Sequence, residues 1–215
     1  MKRLFVILMA AMLCLPALAQ ELTPKQNARG KWGYVDNKEN WLIKAKYDVA
    51  EEFSAEGLAK VKNTKGKWGY INKSGDEVIR ARYDWIGTFS PDGICKVQED
   101  DKYGLINRDG KVLAKIKYDD IETFSEAGTA VVRIGEDFGM INRDGKEIIK
   151  VRYQEVTEFS ADGLAWIKQT DKWGVINREG KTIAKVKYDE PGVWSDNGTA
   201  NREGRRPCGR VEQNR

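Results

Sequence analysis

The sequence predicts an all-β protein built from tandem three-stranded antiparallel meanders that form an open, curved repeat array. Three observations predict it. An aromatic residue followed by glycine recurs at Trp32-Gly33, Trp68-Gly69, Tyr103-Gly104, Phe138-Gly139 and Trp173-Gly174, at spacings of 36, 35, 35 and 35 residues. A tyrosine keeps step at Tyr47, Tyr83, Tyr118, Tyr153 and Tyr188, and a third aromatic before serine does so at Phe53, Phe89, Phe124, Phe159 and Trp194. Outside the first nineteen residues no segment sustains a 3.6-residue apolar period, so helix is not expected. A fixed period of this length dictates a repeat architecture.

The elements follow from one unit. The run Lys67 to Asn72 (KWGYIN) is aromatic and β-branched, and the Gly-containing turn Lys73 to Asp76 returns the chain into Glu77 to Tyr83 (EVIRARY), which makes a hairpin. After a loop of the form YDxxxxFSxxG, a third short strand such as Ala59 to Lys62 reaches the next aromatic-Gly strand. The one extra residue of the first spacing falls in the turn around Asn63 to Lys67, where a strand-based repeat tolerates insertion.

Alternation assigns faces, since successive side chains of a strand point to opposite sides. Trp68 and Tyr70 share one face while Ile71 takes the other, so the aromatic-Gly strand is apolar on both sides and central. Its glycine permits close approach of a neighbouring backbone or ring. Ile79, Ala81 and Tyr83 face opposite to Arg80 and Arg82, and the third strand is expected to bury Ala59 and Val61 and to expose Lys60 and Lys62. A unit this small cannot cover its own aromatics, so units must stack or close on one another.

KWGYINKSG, KWGVINREG and the trailing YDxxxxFSxxGLAxV resemble the WG-repeat (KWG-repeat) proteins of bacteria, over roughly residues 31 to 200. The third and fourth units depart by placing Tyr103 and Phe138 where the tryptophan belongs, which keeps the ring. The resemblance implies a secreted or envelope-associated interaction module and supplies no catalytic residues. Two global shapes fit, the open array and a five-bladed, propeller-like ring. The first unit lacks a recognisable strand before Trp32, and a strand starting near Gly198 to Ala200 could complete it in a ring, but the polar run that follows favours the open array.

The domain reading is a signal peptide at residues 1–19, a linker at 20–30, five repeats forming one domain at 31–200, and a polar tail at 201–215 expected to lack order. The signal consists of Lys2 and Arg3, an apolar stretch from Leu4 to Leu15, and the small-residue site Ala17-Leu18-Ala19. It predicts export to the periplasm, cell surface or medium. The stretch is shorter than the roughly 20 apolar residues of a membrane span, so no transmembrane segment is expected in the mature chain. Cys14 follows Leu13 where a lipoprotein signal needs a small residue, which argues against lipidation.

Composition excludes several function classes. The net charge of +4 falls when Lys2 and Arg3 leave, giving 35 basic against 33 acidic residues, too balanced for nucleic-acid binding. The chain has no histidine, which removes His-based acid-base catalysis, Ser-His-Asp and Cys-His nucleophiles, and the usual His-containing zinc sites. No cofactor and no metal are expected. Asp48, Asp84, Asp119 and Asp189 follow the repeated tyrosine and are read as loop hydrogen-bonding groups rather than glycosidase carboxylates. The serines of the repeat, from Ser54 to Ser195, are read as caps of loop amides. Cys95 stands where Ala59, Ala130 and Ala165 stand and is read as a small buried hydrophobe.

Candidate binding residues are those the fold alone does not demand. Trp41, Trp85 and Trp166 are off-pattern, and Trp166 with Val131 occupies the column of Lys60 and Lys96, which reads as an exposed apolar patch for a protein partner or a sugar. Lys44, Arg80, Lys115, Lys150 and Lys185 form a basic column, with a second one at Lys46, Arg82, Lys117, Arg152 and Lys187. Either column offers a polyanion surface; the preferred reading is that it guards sheet edges while acidic loops containing Glu51, Glu52, Asp120, Glu122, Glu155 and Glu158 neutralise it. The expected function is an exported, non-enzymatic module that binds a protein partner, with carbohydrate binding as the alternative.

Overall fold

The computed structural model describes residues 21–194 together with the short strand Ala200–Asn201. The expected signal peptide and the tail beyond residue 201 lie outside the described residues. The architecture is all-β: five antiparallel sheets of three or four strands follow one another along the chain, and none closes into a barrel.

The first sheet holds Thr23–Gln26, Trp32–Val35 and Trp41–Tyr47. The second holds Val49–Ala50, Leu58–Lys62, Trp68–Asn72 and Glu77–Tyr83 in sequence order. The third repeats it with Trp85–Ile86, Ile94–Glu99, Lys102–Asn107 and Val112–Tyr118. The fourth comprises Asp120–Ile121, Thr129–Ile134, Asp137–Asn142 and Glu147–Tyr153, and the fifth Glu155–Val156, Leu164–Gln169, Lys172–Asn177 and Thr182–Tyr188. A two-stranded pair, Val193–Trp194 with Ala200–Asn201, comes last.

Two expectations need correction. Each sheet takes its inner strands from one sequence unit and its central and outer strands from the next, and a two-residue strand after each repeated tyrosine adds a fourth member to the meander. Residues 20–30 are not merely a linker, because Thr23–Gln26 pairs antiparallel with Trp32–Val35 and supplies the strand thought to be missing before Trp32.

The aromatic-Gly strand is central in every sheet, as its two-sided apolar pattern predicts. Register shows why its glycine is needed. Trp68 pairs with Tyr83 and Tyr70 with Ile79, so the outer strand carries a bulge opposite Gly69. A Cβ on Gly69 would lie 2.4 Å from the Ile79 carbonyl oxygen, and one on Gly33 would lie 2.4 Å from that of Ile43. The bulged strand folds over the bare glycine, and no other residue leaves the room.

The core lies between consecutive sheets. Tyr70, Ile79 and Tyr83 on one face of the second sheet meet Ile86, Cys95, Val97 and Ile106 of the third. Leu105, Ala114 and Tyr118 on the forward face of the third meet Ile121, Ala130, Val132 and Ile141 of the fourth. The second to fifth sheets are therefore apolar on both faces, and burying a side chain such as Ile106 contributes about 2 kcal/mol. The repeat's carboxylates tie the outer strand to the central one: Lys31 pairs with Asp48, Lys67 with Asp84, Lys102 with Asp119 and Lys172 with Asp189. In the fourth sheet Asp137 and Gln154 occupy the two positions, so no charge is left facing its like.

Candidate functional site

The sheet interfaces contain a recurring phenol clamp. Tyr34 of the first sheet donates its hydroxyl to the Glu51 carbonyl of the second at 2.7 Å, with its ring 4.7 Å from that of Phe53. Tyr70 of the second donates to the Gly87 carbonyl of the third at 2.7 Å, with its ring 5.1 Å from that of Phe89. Burial pushes both phenols well above the ordinary tyrosine range, so they remain protonated donors.

The third sheet breaks the clamp. Leu105 stands at the register position of Tyr34 and Tyr70, while the facing carbonyl, Glu122, and ring, Phe124, are still in place on the fourth sheet. The result is a cavity of about 600 Å³ lined by Leu105, Ile121, Glu122, Phe124, Lys96, Arg143 and the Thr88–Asp92 loop. Ala114 replaces the Ile43 and Ile79 of the earlier sheets, but that loss is closed from the other side: a Cβ on Gly145 would fall 2.3 Å from the Leu113 carbonyl carbon. Leu105 itself is buried at 2% exposure, and the cavity opens beside it.

Charge rims this cavity in compensated form. Lys96 Nζ bonds Asp120 Oδ1 at 2.8 Å and the Ile121 carbonyl at 2.6 Å, and lies 4.3 Å from the centre of the Tyr103 ring. Arg143 Nε lies 2.9 Å from Asp92 Oδ2, and its guanidinium sits 5.7 Å from the Phe124 ring. The Lys96 contact holds the Asp120 carboxyl below the usual carboxylate range. The floor is apolar, the mouth polar, and the size falls in the range of small-ligand pockets.

The sequence-predicted residues are not gathered in one place. Trp41 and Trp85 are exposed at 41% and 44%, on opposite kinds of sheet edge in the first and third sheets. Trp85 is partly committed, with its ring edge-on to Tyr103 at 6.4 Å. The expected patch of Val131 and Trp166 does not exist, because both are buried, at 8% and 4% exposure. Trp166 stacks on Trp194 at 5.2 Å and meets Tyr188 edge-on at 6.0 Å. The physical reason is that this column faces the next sheet. Lys60 and Lys96 stand there with half-buried stems and paired ends: Lys60 reaches Glu51 beside the neighbouring strand of its own sheet, and Lys96 crosses the interface to Asp120 of the fourth sheet.

The same contacts alter the reading of the basic columns. The acidic loop residues Glu51 and Asp120 pair with these inner-strand lysines. Lys44, Arg80, Lys115, Lys150 and Lys185 are all exposed, and the ion pairs found among the described residues involve other cations. The second column instead lies over the repeated tyrosines, from Lys46 on Tyr47 at 5.1 Å to Lys187 on Tyr188 at 5.3 Å.

Cys95 is buried, and its Sγ points to the Gly87 carbonyl at 3.3 Å. Burial pushes its thiol up to about 12, which makes it an unreactive packing residue. Among the described residues no cluster of three or more His, Cys, Asp or Glu side chains could hold a metal ion, and no helix is long and apolar enough to cross a membrane. Sequence reasoning missed Leu105, Lys96, Phe124 and Arg143 as a group. The signal was present in the column Tyr34, Tyr70, Leu105, Met140 and Val175, where the ring is lost at the third member.

Sheets of one pattern, each packed through its forward face on the next, define a tandem β-repeat protein. The chain belongs to the WG-repeat family: the family model described as "WG containing repeat" matches five times, at residues 32–68, 68–103, 103–136, 138–173 and 173–200. No curated protein matches the sequence. Among solved structures, a eukaryotic initiation factor aligns over 81% of this chain and 55% of its own, at 13% identity and a TM-score of 0.37. Hsv2 of Kluyveromyces lactis aligns over 84% of this chain and 66% of its own, at 10% identity and a TM-score of 0.34. BamB from Moraxella catarrhalis aligns over 80% and 62%, at 10% identity and a TM-score of 0.33. The chain thus spans between about half and two thirds of these proteins, and likenesses this distant carry no argument about its role.

Proposed function

We propose that the protein is an exported, non-enzymatic interaction module that binds a protein partner through its repeat surface. The observation that carries this reading is the open cavity between the third and fourth sheets. The repeat closes the two preceding interfaces with a tyrosine, and at this one a cavity opens beside the buried Leu105. An apolar floor beneath a rim of paired charges suits a side chain presented by another polypeptide, because the rim can exchange ion pairs without stranding a buried charge. Export rests on the leader-like sequence of residues 1–19.

Carbohydrate binding is a second reading, favoured by the exposed rings of Trp41 and Trp85. One experiment separates the two. The chain from Gln20 to Arg215 is immobilised and exposed to envelope extract and to a glycan array, beside Trp41→Ala and Trp85→Ala variants. The proposal expects one defined polypeptide at stoichiometric yield, retained equally by the tryptophan variants. A sugar held by the parent and lost by those variants would replace the proposal with the carbohydrate reading.

A further inference from the structure

Resting on the interaction reading, we propose that the cavity between the third and fourth sheets is a receptor for a tyrosine side chain of a polypeptide partner. The ring would lie against Phe124 and the hydroxyl would donate to the Glu122 carbonyl.

The molecule supplies its own template. At two preceding interfaces the same space is filled by Tyr34 and Tyr70, each with a ring against the repeated phenylalanine and a hydroxyl on the carbonyl four residues past the repeated tyrosine. At the third interface both receiving groups survive, since Phe124 follows Tyr118 as Phe53 follows Tyr47, and Glu122 stands where Glu51 and Gly87 stand. The tyrosine is gone, and Lys96, opposite Leu105 on the neighbouring strand, donates to the adjacent Ile121 carbonyl rather than to Glu122. A backbone carbonyl at the edge of an apolar cavity wants a hydrogen-bond donor, and the donor geometry that this pocket accepts is shown by the two intact copies.

None of the tyrosines of this sequence is free to enter the cavity. All eight of its tyrosines lie in the described strands, and the segment 195–215 contains no Phe, Tyr or Trp. The occupant proposed is a tyrosine of another molecule. The cavity, at about 600 Å³, holds a phenol together with part of the backbone that presents it. Two further features favour a polypeptide source. Lys96 and Arg143 can each turn a donor toward the carbonyls that flank an inserted side chain, and Asp92 and Glu122 can accept from its amides.

The test titrates the chain from Gln20 to Arg215 with N-acetyl-L-tyrosinamide and N-acetyl-L-phenylalaninamide, following the Leu105 and Ile121 methyl resonances. The expected result is saturable binding at these methyls, with the tyrosine probe roughly fivefold tighter because only it offers the hydroxyl. Leu105→Tyr and Leu105→Phe, which fill the cavity from within, should abolish binding of both probes. Absence of saturable shifts at Leu105 and Ile121 in the parent overturns the proposal whether or not the variants fold. Undiminished binding by a folded Leu105→Tyr protein overturns it as well. A polypeptide captured equally by parent and Leu105→Tyr would overturn this site and leave the interaction reading standing. Tyrosinamide binding without any captured polypeptide would keep the phenol site and overturn both the polypeptide source and the interaction reading.

Discussion

The Tyr70 hydroxyl donates to the Gly87 carbonyl at 2.7 Å, joining the second sheet to the third across 17 residues of chain. The bond is part-buried, and removing its donor leaves an acceptor facing the interface. Tyr70→Phe should therefore lower stability by about 1 kcal/mol, and Tyr70→Leu by about 3 kcal/mol because it also empties the ring's volume. Urea denaturation of the two variants checks both values. Tyr70→Leu should in addition create a second cavity like the one at Leu105.

Gly69 and Gly135 separate two reasons for glycine. At Gly69 a Cβ would strike the Ile79 carbonyl oxygen at 2.4 Å, so Gly69→Ala should cost about 3 kcal/mol or more, or prevent folding. At Gly135 a Cβ would meet nothing within 4 Å, and only the positive φ of 60° opposes a side chain. Gly135→Ala should cost about 1 kcal/mol. Equal costs in chemical denaturation would remove the bulge as the explanation of the repeat's glycine.

Asp84 and Asp119 should make the fold acid-sensitive. The ammonium of Lys67 holds Asp84 below the ordinary carboxylate range, aided by the Asp100 amide, and Lys102 does so for Asp119, aided by the Gly135 amide. A carboxylate whose folded pKa is depressed contributes stability above its unfolded value and loses it as pH falls through the folded one. The urea midpoint should therefore fall below about pH 4, and Asp119→Asn should show a smaller fall than the parent. An unchanged pH profile in that variant would dissociate Asp119 from acid sensitivity.

Cys95 reports opening between the second and third sheets. Its thiol is buried and pushed up to about 12. In a chain carrying Cys208→Ser and starting at Gln20, a maleimide should fail to label the native protein at neutral pH and should label it once urea separates the sheets. Rapid native labelling would show that this interface opens freely.

Much of the architecture is legible in the sequence. The 35-residue beat of Trp68, Tyr103, Phe138 and Trp173 marks the central strands, and the glycine beside each ring signals a close approach of backbone or ring, which the structure realises as a bulge in the outer strand. The two-residue strands such as Trp85–Ile86 were not legible, because so short a pairing has no periodicity. Thr23–Gln26 was missed for a related reason: its residues are polar or proline, and backbone pairing with Trp32–Val35 defines it. The faces of the third strand misled because Lys60 and Lys96 alternate like solvent-facing residues although their column faces the next sheet, Lys60 pairing with Glu51 within its own sheet and Lys96 with Asp120 across the interface. That error placed Trp166 on the surface. Leu105 was visible as a lost tyrosine, but its consequence needed the knowledge that Glu122 and Phe124 face it.

The most direct test measures the affinity of a captured partner polypeptide for the parent chain and for Leu105→Tyr by isothermal titration calorimetry. The interaction account, with the cavity as its site, predicts a loss of at least about tenfold in the variant, the equivalent of one well-placed contact. Equal affinity for both proteins would contradict the cavity as the binding site, and failure of any polypeptide to bind the parent would contradict the interaction account itself.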